Sequence, residues 1–181
     1  MSNSAKSSPA EDEFALGCTC FYLRSATRRA TQIYDEALKA AGLTVNQYSL
    51  LSKLSRNGGV SVSRFAEIMS MDRTTLTRNL QPLQAAGWIA SGGIAARVAP
   101  PSPQGGGAAV DTAPSAVPGA GRMRLLTLTD AGEAKLIESI PLWRAAQTRI
   151  NELLGHETQR GLHRLLKEAV RTLESHQPLG S

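Results

Sequence analysis

Arginines and threonines crowd the first half of the stretch MDRTTLTRNLQPLQAAGWI, Met71 to Ile89. Arg73, Thr74, Thr75, Thr77 and Arg78 stand where a solvated helix would carry glutamate and lysine. A guanidinium forks onto two acceptors at once, such as guanine O6 and N7 or a pair of phosphate oxygens. A threonine offers a hydroxyl to a base edge and a methyl group to a thymine. Gathered at the start of one helix, these side chains have the chemistry for reading an anionic, base-bearing surface. A second reactive pair is Cys18 and Cys20. A nearby Arg24 would favour a thiolate there, although small cysteines also pack as ordinary helix residues. A C-x-C pair alone is not a metal site, and His156, His163 and His176 offer no ligand spacing with it. No phosphate loop, metal cluster or nucleophile–base arrangement accompanies these residues, so no cofactor is expected and a thiol enzyme using Cys20 has little support.

The whole chain agrees with an anionic partner. Its 181 residues carry a formal charge of +5 and a pI near 9.6. Of 20 basic residues 15 are arginine, a bias that an arginine-rich genome would also produce. Two cysteines are too few for a disulfide framework and fit a reducing cytosol. No apolar run approaches the roughly 20 residues of a membrane span, and MSNSAKSSPAEDE lacks the apolar core of a signal peptide. A cytoplasmic location is therefore expected.

Apolar spacing then places the elements. Phe14, Cys18, Phe21, Ala26, Ala30, Ile33, Ala37 and Ala41 follow a helical period, with Gly42 as the stop. Thr44 and Gln47 form a capping box ahead of Tyr48, Leu50, Leu51 and Leu54, and Asn57-Gly58-Gly59 ends that helix. Val60 to Val62 suits a short strand. Ser63 is placed to cap a helix bearing Phe65, Ile68 and Met69, and Asp72 to cap one bearing Leu76, Leu80 and Leu83. Two short helices across the Ser70-Met71 turn make a helix-turn-helix pattern. Pro82 predicts a bend in the second. Trp88-Ile89 opens a strand whose return partner is Arg122 to Leu128. Between them, residues 91–121 hold five of the nine prolines and seven of the sixteen glycines, a composition that cannot bury a core and reads as a mobile loop. Thr129-Asp130 caps a long helix to Leu154, interrupted at Pro141, and a last helix carries Leu162, Leu165, Leu166, Ala169, Val170 and Leu173.

TQIYDEALKAAGLTVNQYSLLSKLSRNGGVSVSRFAEIMSMDRTTLTRNLQPLQAAGWI together with RLLTLTDAGEAKL resembles the MarR family of winged helix-turn-helix regulators. The likeness covers about Phe14 to Ile89 and Arg122 to Ser175. It implies a mainly α fold with a small β-wing. Residues 44–128 would form the DNA-binding lobe with its insertion at 91–121. Residues 13–43 and 129–175 would form a helical dimerisation region, and residues 1–12 and 176–181 would be tails. It further implies a homodimeric transcriptional regulator, most often a repressor, that binds a pseudo-palindromic double-stranded operator and is released by a small aromatic or phenolic ligand or by thiol oxidation.

Carried onto this chain, the DNA contacts would be Arg73, Thr74, Thr75, Thr77 and Arg78, with Ser61 and Ser63 on phosphates. The family's wing tip is replaced here by the long Pro/Gly/Ala stretch, leaving Arg97, Arg122 and Arg124, of which Arg122 best matches the tip arginine. Arg24, Arg28 and Tyr48 would face the ligand cleft, while solvated arginines and a core tyrosine remain the plainer reading. Trp143 is expected in dimer packing. Cys20-Phe21-Tyr22-Leu23 is similar to the reactive-cysteine stretch of the organic-hydroperoxide-sensing branch, with Arg24 and Val45 standing where that branch has tyrosines.

Overall fold

A computed structural model describes residues 17–92 and 125–176. In chain order the elements are α1 (Thr19–Leu38), a 3₁₀ turn (Lys39–Ala41), α2 (Val45–Asn57), β1 (Val60–Ser61), α3 (Val62–Ile68), α4 (Arg73–Ala85), β2 (Ile89–Gly92), β3 (Leu125–Leu128), α5 (Asp130–Leu154) and α6 (His156–His176). The strands form one antiparallel sheet in the order β1-β3-β2, with Val60 opposite Leu126 and Ile89 opposite Leu128. Mainly helical with a small wing, this is the architecture expected. No described helix is long and apolar enough to cross a membrane.

The helix ends follow from their capping residues. Gly42, at φ 65°, closes the 3₁₀ turn, and Leu43 N–H reaches Leu38 O at 3.3 Å. Thr44 and Gln47 form the reciprocal capping box of α2. Asp35 on α1 accepts Val45 N–H at 2.7 Å, so a further first-turn donor is satisfied from a neighbouring helix. The core beneath is Leu38, Leu50, Leu51, Leu54, Phe65, Leu76, Leu80, Leu83 and Leu126, drawn from all three lobe helices, the wing and the end of α1.

Several boundaries differ from expectation. Residue 62 is helical, so the β1 strand stops at Ser61, and Ser61 rather than Ser63 caps α3 by accepting Arg64 N–H at 3.2 Å. The extended backbone of Ser61 (ψ 152°) holds its hydroxyl over that donor, which leaves Ser63 inside the first turn. Residue Pro141 does not interrupt α5, which runs unbroken for 25 residues. Proline removes the bond to the carbonyl of Ile137, and both residues lie on the exposed side, where water can serve that oxygen. Pro82 likewise lies inside an unbroken α4. The strand β2 extends through Ser91 and Gly92, positions assigned to the insertion, and α6 reaches His176, assigned to the tail. Phe14, the rest of the insertion and of both tails lie outside the described residues.

One junction binds the wing to α5. Gly87 and Trp88 close α4 with paired bonds from Gly87 N–H to Gln84 O and from Trp88 N–H to Leu83 O, each 2.9 Å. The Thr129 hydroxyl donates to Gly87 O at 2.7 Å and accepts Gly132 N–H at 3.0 Å, while Thr129 N–H donates to Trp88 O at 3.1 Å. The two chain segments approach so closely that a methyl group on Gly132 would collide with the Trp88 carbonyl. Backbone cannot yield as a flexible side chain can. Gly132→Ala is therefore expected to destabilise the lobe by about 1–3 kcal/mol, the usual range for overpacking, seen as a lower urea midpoint at unchanged slope. A midpoint equal to wild type would show that this junction relaxes freely.

Candidate nucleic-acid interface

The start of α4 is built to be presented. Leu76, Leu80 and Leu83 are its buried stripe and fix its rotation. That rotation leaves Arg73, Thr74, Thr75, Thr77 and Arg78 exposed. Asp72 caps the helix by accepting Thr75 N–H at 2.8 Å. The bonds from Thr75 hold its carboxyl below the ordinary carboxylate range, as an occupied cap requires.

Arg73, Thr74, Thr77, Arg78 and Gln81 line one shallow open groove. Arg73 and Arg78 are without an ion-pair partner among the described residues. The Thr77 hydroxyl donates to Arg73 O at 2.7 Å, which leaves its oxygen free to accept a further bond on the exposed side. Gln81 was not anticipated. Its signal was present, since it follows Thr77 by four residues and therefore shares its face. Thr75 is exposed but does not line that groove. Ser63 is exposed near the start of α3, and the Ser61 oxygen is engaged in the α3 cap, leaving its proton for an acceptor. Arg97, Arg122 and Arg124 lie outside the described residues.

The residues expected at a ligand cleft divide. Arg24 and Arg28 are exposed on α1. Tyr48 is a core residue, stacked on Trp143 at 5.6 Å between centroids and 14° between planes. Trp143 in turn stacks on Tyr34 at 6.3 Å and 17°, and the Tyr34 hydroxyl donates to Gln147 at 2.6 Å. Burial raises the pKa of both phenols above the ordinary value. The cations whose fields reach Tyr48 are Arg56 and Arg144. Trp143 thus packs inside its own chain, joining α1, α2 and α5, and Tyr34 completes a column that spacing alone does not reveal. Cys18 and Cys20 are exposed free thiols at the start of α1. Among the described residues no group of three or more histidines, cysteines or carboxylates is placed to hold a metal.

The sequence model of the MarR family matches residues 41–93, which run from the 3₁₀ turn past α4 and β2. The Mycobacterium tuberculosis transcriptional regulator MosR is 28% identical, with a TM-score of 0.59 over 86% of this chain and 97% of its own. MosR has also been solved in complex with DNA. A probable transcriptional regulator from Pseudomonas aeruginosa shares the fold at TM-score 0.64 and 23% identity, over 84% of this chain and 97% of its own. The transcriptional repressor CouR does so at TM-score 0.64 and 22% identity, over 85% of this chain and 92% of its own. CouR has been solved bound to p-coumaroyl-CoA and to a 23-mer DNA duplex. No functionally curated protein sequence matches the chain.

The Asp72 cap has a testable pH signature. A carboxylate whose folded value is depressed stabilises above its unfolded pKa, and that contribution is lost as pH falls through the folded value. Asp72→Ala should therefore lower the melting temperature most at neutral pH. The gap to wild type should narrow below about pH 4, the ordinary carboxylate value. A gap independent of pH would show that the carboxylate charge does not matter to the cap.

Proposed function

We propose that the chain is a MarR-family winged-helix transcriptional regulator that works in the cytoplasm as a homodimeric repressor, a reading that the family match over residues 41–93 and the likeness to MosR support. It binds a pseudo-palindromic operator and releases it on binding a small aromatic or phenolic ligand. The observation that carries this reading is the α4 face: two arginines without ion-pair partners and two threonines, held outward by a leucine stripe and capped at the end that enters a major groove. Arg73 and Arg78 fork onto guanine edges, Thr74, Thr75 and Thr77 contact bases or thymine methyl groups, and Ser61 and Ser63 hold phosphates. The DNA complexes of MosR and CouR support the same role for this lobe. The p-coumaroyl-CoA complex of CouR supports an aromatic effector.

Dimerisation is supported by what the single chain leaves uncovered. Phe21 and Tyr22 are 60% and 59% exposed, and Leu165, Val170 and Leu173 of α6 are open as well. A second copy packed on the helices of residues 13–43 and 129–175 would bury these side chains at roughly 25 cal/mol per Å². The lobe of residues 44–128 would remain free to meet DNA.

One experiment tests both halves. Wild type, Arg73→Ala, Arg78→Ala and Leu173→Asp are titrated onto duplex tiles of the intergenic DNA upstream of the gene, beside sedimentation of each protein. Each arginine variant should lose about 1–3 kcal/mol and relax base preference at one position per half-site while staying dimeric. Leu173→Asp should be monomeric and fail to bind, because an unpaired charge in an apolar interface costs several kcal/mol. Arginine variants that bind as tightly as wild type would remove α4 from the recognition role. A dimeric, DNA-competent Leu173→Asp protein would move the interface elsewhere.

A second reading, a thiol-based redox sensor using Cys20, rests on the exposure of both thiols beside the uncovered Phe21-Tyr22-Leu23 segment. Under this reading, hydroperoxide should release the DNA from wild type and leave the Cys18→Ser/Cys20→Ser variant bound. Equal release from both proteins would exclude the thiols.

A further inference from the structure

The last helix has two faces, and the dimer proposed above would use only one of them. Leu162, Leu165, Leu166, Ala169, Val170 and Leu173 gather on one side of α6, and none of its residues is buried in the single chain. At 100° per residue, Arg160, His163, Arg164, Lys167 and Arg171 gather on the opposite side. With Glu168 at the edge, these five line an open groove. The ion pairs among the described residues are Arg64–Glu67, Lys135–Glu138 and Arg149–Glu152, so Arg160, Arg164, Lys167 and Arg171 have no anionic partner there.

A charged face can exist only to be wet, but such a face usually carries both signs in similar number. This one presents four permanent cations at intervals of four, three and four residues, against Glu174 at its far end and Glu168 at its edge. Its direction is fixed by Glu174, which lies three residues beyond Arg171 and seven beyond Lys167 and so shares their side of the helix. Glu174 accepts a hydrogen bond from the Ser70 hydroxyl at 3.0 Å. Ser70, at φ 49°, forms the turn between α3 and α4, three residues before Arg73. The basic side of α6 is therefore turned toward the lobe that bears the recognition helix, and its end reaches the entrance to that helix. From Arg160 to Arg171 the stripe runs about 17 Å, at 1.5 Å per residue. Duplex DNA carries one charge per about 1.7 Å of axis, so a stripe of that length can meet several phosphates.

We propose that Arg160, Arg164, Lys167 and Arg171 of α6 form a second DNA contact, holding backbone phosphates of the duplex that flanks the half-site read by α4. The inference rests on the DNA-binding reading above and extends it. The recognition helix supplies sequence, while the last helix adds affinity that is independent of sequence and sensitive to salt.

The test uses the full-length protein and two fluorescein-labelled duplexes from the same upstream tile. One is the shortest duplex whose binding is weakened by Arg73→Ala, and the other is that duplex extended by ten base pairs at each end. For wild type, the extended duplex should bind more tightly and with a steeper dependence of log affinity on log salt, by about 0.9 for each phosphate engaged. The variant Arg160→Gln/Arg164→Gln/Lys167→Gln/Arg171→Gln should lose about tenfold or more on the extended duplex at moderate salt. It should keep wild-type affinity for the short one. The charge-preserving variant Arg160→Lys/Arg164→Lys/Arg171→Lys should restore the slope, because phosphates read charge. The milder Lys167→Gln/Arg171→Gln pair serves if the fourfold change impairs folding. Equal slopes for wild type and the glutamine variants on the extended duplex overturn the proposal. A weakened dimer with unchanged DNA slopes does so too, assigning the stripe to the partner copy. If wild type binds neither duplex, the regulator reading itself fails and this inference falls with it. If Arg73→Ala weakens binding but the stripe variants do not, only the inference fails.

Discussion

The fold depends on a place where three chain segments meet within a few ångströms: the end of α4, the base of the wing and the start of α5. Thr129 gives one hydroxyl to two tasks, donating to Gly87 O and accepting Gly132 N–H, and its own N–H bonds to Trp88 O. A helix that presents Arg73, Thr77 and Arg78 to a partner is useful only if its angle to the rest of the molecule is set, and short helices do not set their own angles. Here the exit of α4 is closed by Gly87 at φ 74° and fastened directly to the first turn of the 25-residue α5. Movement of α5 must therefore be felt at α4 through hydrogen bonds and contacting backbone, with no flexible linker between them.

Farther along α5, the Tyr34–Trp143–Tyr48 column makes the complementary connection. Offset and near-parallel rings give large apolar contact with few rotatable bonds. Burial disfavours the phenolate forms, so the two hydroxyls remain neutral donors across the physiological range. Asp35 adds a polar tie from α1 to the start of α2. The lobe is thus held from two points of α5, one at the wing and one at the column, and the apolar core lies between them.

The legible parts of this molecule were those encoded within a few residues. Thr44 with Gln47, Asp72 with Thr75 and Gly42 after Ala41 are local hydrogen-bonding devices, and each could be read from its own neighbourhood. The leucine spacing of α4 likewise determined which side would be left for Arg73, Thr77 and Arg78. Competing local signals were harder. Ser61 and Ser63 are equally good caps by composition, and the pairing of β1 with Leu125 and Leu126, far off in sequence, decides between them. Pro141 looked like a break because its effect depends on which side of the helix it faces, a fact of tertiary packing. The aromatic column stacks residues 109 and 95 positions apart in sequence, which no local pattern records.

The helix least explained by its own chain says most about what lies outside it. Every described helix other than α6 contributes at least one buried residue, whereas α6 contributes none. Twenty-one residues in helical order cost conformational entropy that helix propensity alone repays only marginally at that length. An amphipathic helix with an uncovered leucine side and a cationic side without ion pairs among the described residues gains stability when these sides find partners. An apolar partner suits the first and a polyanion the second. A second copy of the chain and duplex DNA, the partners proposed above, would supply both together. In the proposed dimer, the same separation of faces would let α6 join two protomers without using the charges that face the lobe, so that dimerisation and backbone contact would strengthen one another instead of competing for one surface.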